Sequence, residues 1–147
     1  MTVPPPRLTL VTLGVADIAR ARAFYDRLGF RASPAGNESV VFYDAGGTVL
    51  ALWSRAALAE DAGVTDSAPG FSGVSLAWNV GSEAEVEAVL AHAVACGATL
   101  VRPLQKVFWG GTTGYFADPD GHIWEVAHNP FWALDQNGLI ELPKANP

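Results

Sequence analysis

The chain has 147 residues, half of them apolar, enough for one compact domain with a core and too few for two ordinary ones. Its formal charge of -6 and nine scattered basic residues lack the positive footprint that a phosphate backbone demands, so no nucleic-acid partner is expected. No run nears the roughly 18 consecutive apolar residues of a membrane span, and the opening MTVPPPRLTL shows neither a charged n-region nor a cleavage-like site, so no membrane partner and a cytoplasmic location are expected.

In chain order, the β-rich segment LTLVTLGV leads to Asp17, which can cap a helix. Its apolar residues Ala21, Phe24, Tyr25 and Leu28 share one face, and Gly29 stops it. A short strand and the hairpin VVFYDAGGTVLALW follow, then a short helix at Ala56 to Ala62 and a polar, Gly- and Pro-containing stretch from Gly63 to Ser72. The second half repeats the plan. GVSLAWNV precedes the capping box of Ser82 and Glu85, and Val86, Val89, Leu90 and Ala93 repeat the helical spacing until Gly97. A short strand and the hairpin TGYFADPDGHIWEV close the unit, and the turn signal DQNG marks the tail. The single cysteine, Cys96, excludes an internal disulfide and a cysteine zinc cluster, and its place at the helix end suits a small buried hydrophobe.

Constant offsets support a duplication. Adding 65 carries Leu10, Val11 and Val15 to Ser75, Leu76 and Val80, and adding 74 carries Phe42, Gly47, Ala51 and Leu52 to Phe116, Gly121, Glu125 and Val126. The expected fold is α+β, a single domain of two paired β-α-β-β-β modules. Module one spans about residues 8–55, a linker 56–72, module two 73–129 and a tail 130–147.

Alternation splits each strand into two rows. Val11, Leu13, Val15, Leu50, Leu52, Leu76, Trp78, Val80, Trp124 and Val126 are large and apolar and should lie under the helices. The opposite rows hold Leu10, Thr12, Gly14, Val49, Ala51, Trp53, Ser75, Ala77, Asn79, Ile123, Glu125 and Ala127. This smaller, partly polar face is the candidate pocket, with Glu125 pointing into it beside Thr12, Ser75 and Asn79. A charge in an apolar strand is costly unless something pairs with it, so Glu125 is the candidate functional carboxylate. Trp53 shares the pocket row, where it either stacks on a ligand or extends the core, whereas Trp78 and Trp124 read as core. Trp109, Phe108 and Tyr115 sit on the last hairpin, and Trp109 and Tyr115 join the candidate ligand-binding set. Phe131 and Trp132 can cap the site or a subunit interface.

Asp118-Pro119-Asp120-Gly121 reads as a hairpin turn rather than a catalytic carboxylate pair. Gly46-Gly47 and Gly110-Gly111 are bends, since neither opens a helix in a phosphate-cradling pattern. No serine has the histidine base and carboxylate that a hydrolytic triad needs.

The stretches LGVADIARARAFYDRLGF and YFADPDGHIWEV resemble the vicinal oxygen chelate superfamily of glyoxalases, ring-cleaving dioxygenases, fosfomycin-modifying enzymes and bleomycin-binding resistance proteins, over about Leu8 to Asn129. The resemblance implies glyoxalase-like modules whose sheets close into a cup, commonly in a homodimer. It also implies metal-ligand positions on the first and last strand of each module, which fall here on Leu10, Ser75, Ala51 and Glu125. Only Glu125 retains ligating chemistry, because leucine and alanine cannot ligate and a serine hydroxyl is a poor ligand. His122 and His128, three residues to either side, turn to the other face of the strand, and His92 lies off the apolar face of its helix and is expected in solvent. No metal or other cofactor is therefore expected, and the chain reads as a metal-free small-molecule binder for an aromatic or cationic compound. The alternative is an enzyme of the same superfamily, a lyase, isomerase or dioxygenase, that uses Glu125 as general acid or base or as ligand to a divalent metal.

Overall fold

A computed structural model describes residues 2–67 and 70–143. In the first module, β1 (Leu10–Val15) is followed by α1 (Ile18–Leu28), β2 (Val40–Asp44) and β3 (Val49–Ser54), and the strands form a sheet in the order β1-β3-β2. α2 (Arg55–Ala62) leads out of it. In the second, β4 (Ser75–Asn79), α3 (Glu83–Ala95), β5 (Thr99–Lys106), β6 (Thr112–Ala117) and β7 (Ile123–His128) give a sheet in the order β4-β7-β6-β5. β1 is parallel to β3 and β4 is parallel to β7, so the order of the three-stranded sheet recurs in the second sheet, which adds β5 as a fourth strand, in an α+β fold. The tail folds into a hairpin of β8 (Ala133–Leu134) and β9 (Ile140–Glu141), with Asp135 accepting from the amides of Asn137 and Leu139 at the DQNG turn.

Local chemistry sets the helix ends as the residue pattern requires. The Asp17 carboxylate accepts the Arg20 amide at 3.0 Å, and the Ser82 hydroxyl accepts the Glu85 amide at 3.2 Å. α1 buries Ala21, Phe24, Tyr25 and Leu28, and α3 buries Val86, Leu90 and Ala93. Cys96 is buried beside them. The strand expected after α1 is reduced to one bridge between Ala32 and Tyr43. Ser33, Pro34 and Asn37 turn the chain there instead, with the Asn37 side chain accepting from the amides of Ser39 and Val40.

Strand register corrects one of the repeat equivalences. Phe42 pairs with Ala51 and Tyr115 pairs with Glu125, so the counterpart of Phe42 is Tyr115 and not Phe116. The loop 118–122 is one residue longer than the loop 45–48, and a one-residue slip changes the face on which a side chain stands.

The helix-facing rows of both sheets enter one core. The Tyr25 ring lies 6.2 Å from Tyr43 of β2 and 6.1 Å from Trp124 of β7, and Phe30 bridges the same two rings at 5.7 and 6.1 Å. Tyr25 of α1 and Phe30 just after it thus draw side chains of both sheets into the one core. Further contacts tie the modules together: Asp120 accepts from the Ala16 amide and the Arg20 guanidinium, both at 2.9 Å, and a ring nitrogen of His122 lies 2.8 Å from the Gly14 carbonyl. His92 is exposed, as expected, and its Nε2 lies 3.0 Å from the Leu28 carbonyl, linking α3 to the end of α1.

The turn at Asp118 to Gly121 forms as expected, with the Gly121 amide donating to the Asp118 carbonyl at 3.0 Å and φ of 86° at Gly121, a conformation that favours glycine. The Asp118 carboxylate does more than turn the chain. It is buried, accepts the amides of Asp120 and His122, and receives the Tyr25 hydroxyl at 2.6 Å.

Candidate functional site

Glu125 stands in the middle of β7 on the outward row, half-buried, between Ala77 of β4 and Tyr115 of β6. Directly opposed residues of adjacent strands share a face, so one transverse row runs Ala77, Glu125, Tyr115 and, through the β5 pairing, Arg102. The Tyr115 hydroxyl donates to Glu125 Oε2 at 2.6 Å. This answers the cost of a charge in an apolar strand: the carboxylate is partly wet and holds a strong donor. The Tyr115 phenol is pushed above its ordinary value, first by that hydrogen bond, then by burial and the Glu125 charge, with Arg102 opposing. Arg102 in turn donates from Nε to Gln105 Oε1 at 2.8 Å.

Around this row, Ser75 and Ala77 are exposed at the β4 edge and Asn79 is half-buried. Trp109 is 39 % exposed, and its ring fills the space into which a Gly111 side chain would project. Gly111 has the same parity as Thr113 and Tyr115, so the indole lies along the outward side of the sheet's end. The alternation of β6 and the Glu125 contact place Tyr115 on the outward face, which the loop-dependent repeat offset alone could not do. Arg102 was missed by sequence because its facing depends on irregularities in β5.

Leu10, Thr12 and Trp53 stand on the outward face of the other sheet, Leu10 at its β1 edge with 40 % exposure. Ala51 is buried there, and a side chain at Gly14 would run into Arg55 at the start of α2, which roofs part of this face. Thr12 therefore stands in the other sheet from Glu125. Ser75 and Asn79 do belong to Glu125's own sheet.

Of the four ligand positions implied by resemblance, Leu10, Ala51, Ser75 and Glu125, only the last has ligating chemistry, and one of its oxygens is taken by Tyr115. This donor set does not fit a divalent ion, which takes three or more protein ligands in such sites. Among the described residues no group of three or more His, Cys, Asp or Glu side chains is placed to hold one. His122 and His128 are directed to the backbone carbonyls of Gly14 and Val80. No helix of the described residues is long and apolar enough to cross a membrane.

A cavity of about 790 Å³ lies by the edge strands β1 and β4 and the tail hairpin, and the candidate residues Ser75 and Asn79 are among those that line it. Val11, Leu76 and Trp78, expected under the helices, border it and are only partly buried.

The sequence model of the Glyoxalase/Bleomycin resistance protein/Dioxygenase superfamily matches residues 7–126. Among solved structures, a glyoxalase-related enzyme from Fulvimarina pelagi is similar at 38% identity, covering 94% of this chain and 99% of that one, with a TM-score of 0.85. A glyoxalase/bleomycin resistance protein/dioxygenase from Nocardioides shares 28% identity over 86% of this chain and 85% of that one, with a TM-score of 0.71. A protein of unknown function from Agrobacterium tumefaciens shares 30% identity over 86% and 97% of the two chains, with a TM-score of 0.66. No curated protein matches the chain. With the family match spanning most of the chain and a 38% identical structural relative covering 94% of it, the protein belongs to the glyoxalase/bleomycin resistance protein/dioxygenase superfamily.

Proposed function

We propose that the protein is a metal-free small-molecule-binding member of its superfamily, with its ligand seated on the outward face of the β4-β7-β6-β5 sheet. The observation that supports this is the Tyr115–Glu125 pair: a half-exposed carboxylate oriented by a phenol on an open sheet face, without the other side chains that coordination requires. Glu125 accepts hydrogen bonds from a cationic or donor-bearing ligand, and Trp109 offers an aromatic wall. A homodimer would complete the pocket, with the face that carries Thr12 and Trp53 in one copy set opposite Glu125 of the other. Exposed Leu8, Leu10 and Val74 near the β1 and β4 edges support such an association.

The second reading is an enzyme in which Glu125 is general acid or base, favoured by the 2.6 Å contact that supplies a proton-bearing neighbour. Mass spectrometry of small molecules that co-purify with the wild-type protein and with Glu125→Gln tests the binding reading, alongside elemental analysis after dialysis. A compound retained by the wild type and lost from the variant, with less than stoichiometric metal, is expected. Equal retention, or one tightly held ion per subunit, would overturn it. Chemical conversion of the retained compound on incubation would favour the enzyme.

A further inference from the structure

We propose that Arg102 is the anion-recognising residue of this face, and that the ligand carries a carboxylate toward Arg102 and an ammonium or other donor toward Glu125. The inference rests on the placement of the ligand site proposed above and names the class of molecule it takes.

The reason lies in the backbone of β5. Leu100 pairs with Phe116, and Arg102 pairs with Tyr115, so β5 carries one extra residue between these pairs. In a regular strand Arg102 would share the inward row of Leu100 and stand opposite Gly114, where Leu90 of α3 already packs closely. The bulge turns it outward, into the row of Tyr115 and Glu125. A second irregularity lies between Arg102 and Gln105, where Pro103 and Leu104 face Gly114 alone. Pro103 has no amide hydrogen to lose from the ladder, which suits it to a bulge. The result is that two residues three apart in sequence, which would normally face opposite ways, lie on one face and hydrogen bond.

That hydrogen bond uses Nε and holds the guanidinium in place. Among the described residues the ion pairs are made by Arg20, Arg22 and Arg55, and no carboxylate lies within pairing distance of Arg102. Its two Nη groups remain available as a planar fork for the two oxygens of a carboxylate. Lys106 pairs with Thr112, on the row opposite to Tyr115, so a second cation for a phosphate dianion does not stand beside it. Glu125 and Arg102 are two strand spacings apart, roughly 10 Å at the backbone, with Tyr115 between. Opposite charges at the two ends of one row match a molecule with a cationic end and a carboxylate end better than one carrying a single charge.

Calorimetric titration of the full chain with 4-(aminomethyl)benzoate, benzylamine and benzoate tests this. The zwitterionic probe should bind about tenfold more tightly than benzylamine, equivalent to about 1.4 kcal/mol. Arg102→Gln should erase that advantage while leaving benzylamine unchanged, and Arg102→Lys should restore only part of it, because an ammonium lacks the fork. Melting curves on each variant verify that the exposed Arg102 position tolerates the change. Equal affinity for the zwitterion and benzylamine, with both weakened by Glu125→Gln, would overturn the role of Arg102 and leave the ligand site standing. Absence of binding by every probe, or binding indifferent to Glu125→Gln, would remove both.

Discussion

The Tyr25 phenol donates to the Asp118 carboxylate at 2.6 Å and accepts the Trp124 indole N–H at 3.1 Å, joining α1 of the first module to the last hairpin of the second. Tyr25→Phe keeps the ring in the aromatic cluster and deletes only the hydroxyl, leaving a buried carboxylate oxygen and a buried indole N–H without their partner. An unsatisfied buried polar group costs about 1 to 3 kcal/mol, more when charged, so a loss of about 2 to 4 kcal/mol is expected in urea unfolding. A change below about 0.5 kcal/mol would show that water replaces the phenol without penalty.

The same phenol predicts alkaline sensitivity. Burial, then the charge of Asp118, hold the Tyr25 hydroxyl protonated far above the ordinary value of 10.0. The unfolded chain therefore loses this proton near pH 10 while the folded chain keeps it, and the folded state binds more protons. Stability from this group is complete below pH 10 and falls above it by about 1.4 kcal/mol per pH unit. Tyr43, raised by burial and its hydrogen bond to Asp26, and Tyr115, raised chiefly by Glu125, act in the same direction. Melting temperatures between pH 8 and pH 11 should stay level and then drop, with a shallower drop in Tyr25→Phe. Equal slopes for the two proteins would exclude Tyr25 as a source of the effect.

Glu125→Gln should leave the fold intact. The amide oxygen of glutamine still accepts from Tyr115, and the position is half-exposed, so the change in unfolding free energy should stay within about 1 kcal/mol. Affinity for a cationic ligand should fall, or turnover cease, on the same preparation. Marked destabilisation with unchanged affinity would make Glu125 a structural hydrogen-bonding residue.

Trp53 is half-buried on the outward face of the first sheet, between Gly14 and Val40. If its ring stacks on the ligand from a second copy, Trp53→Ala should weaken binding by about 1 to 3 kcal/mol with a normal melting curve. Sedimentation of both proteins tells a lost stacking contact from a lost dimer. A folded, dimeric variant with wild-type affinity would take Trp53 out of the site.

Helix caps, core rows and the duplicated plan were legible in the residues, because capping and hydrophobic periodicity are local and repeat at fixed spacings. Asp17, Ser82 and the buried stripe of α1 show this. Glu125 was legible for the same reason, as a polar break in a period of two. What tertiary structure decided was non-local. How the two sheets join in one core depends on Tyr25 and Phe30 packing between Tyr43 and Trp124, residues far apart in the chain. The facing of Arg102 depends on a bulge that no period reveals, since one extra backbone residue reverses every side chain after it.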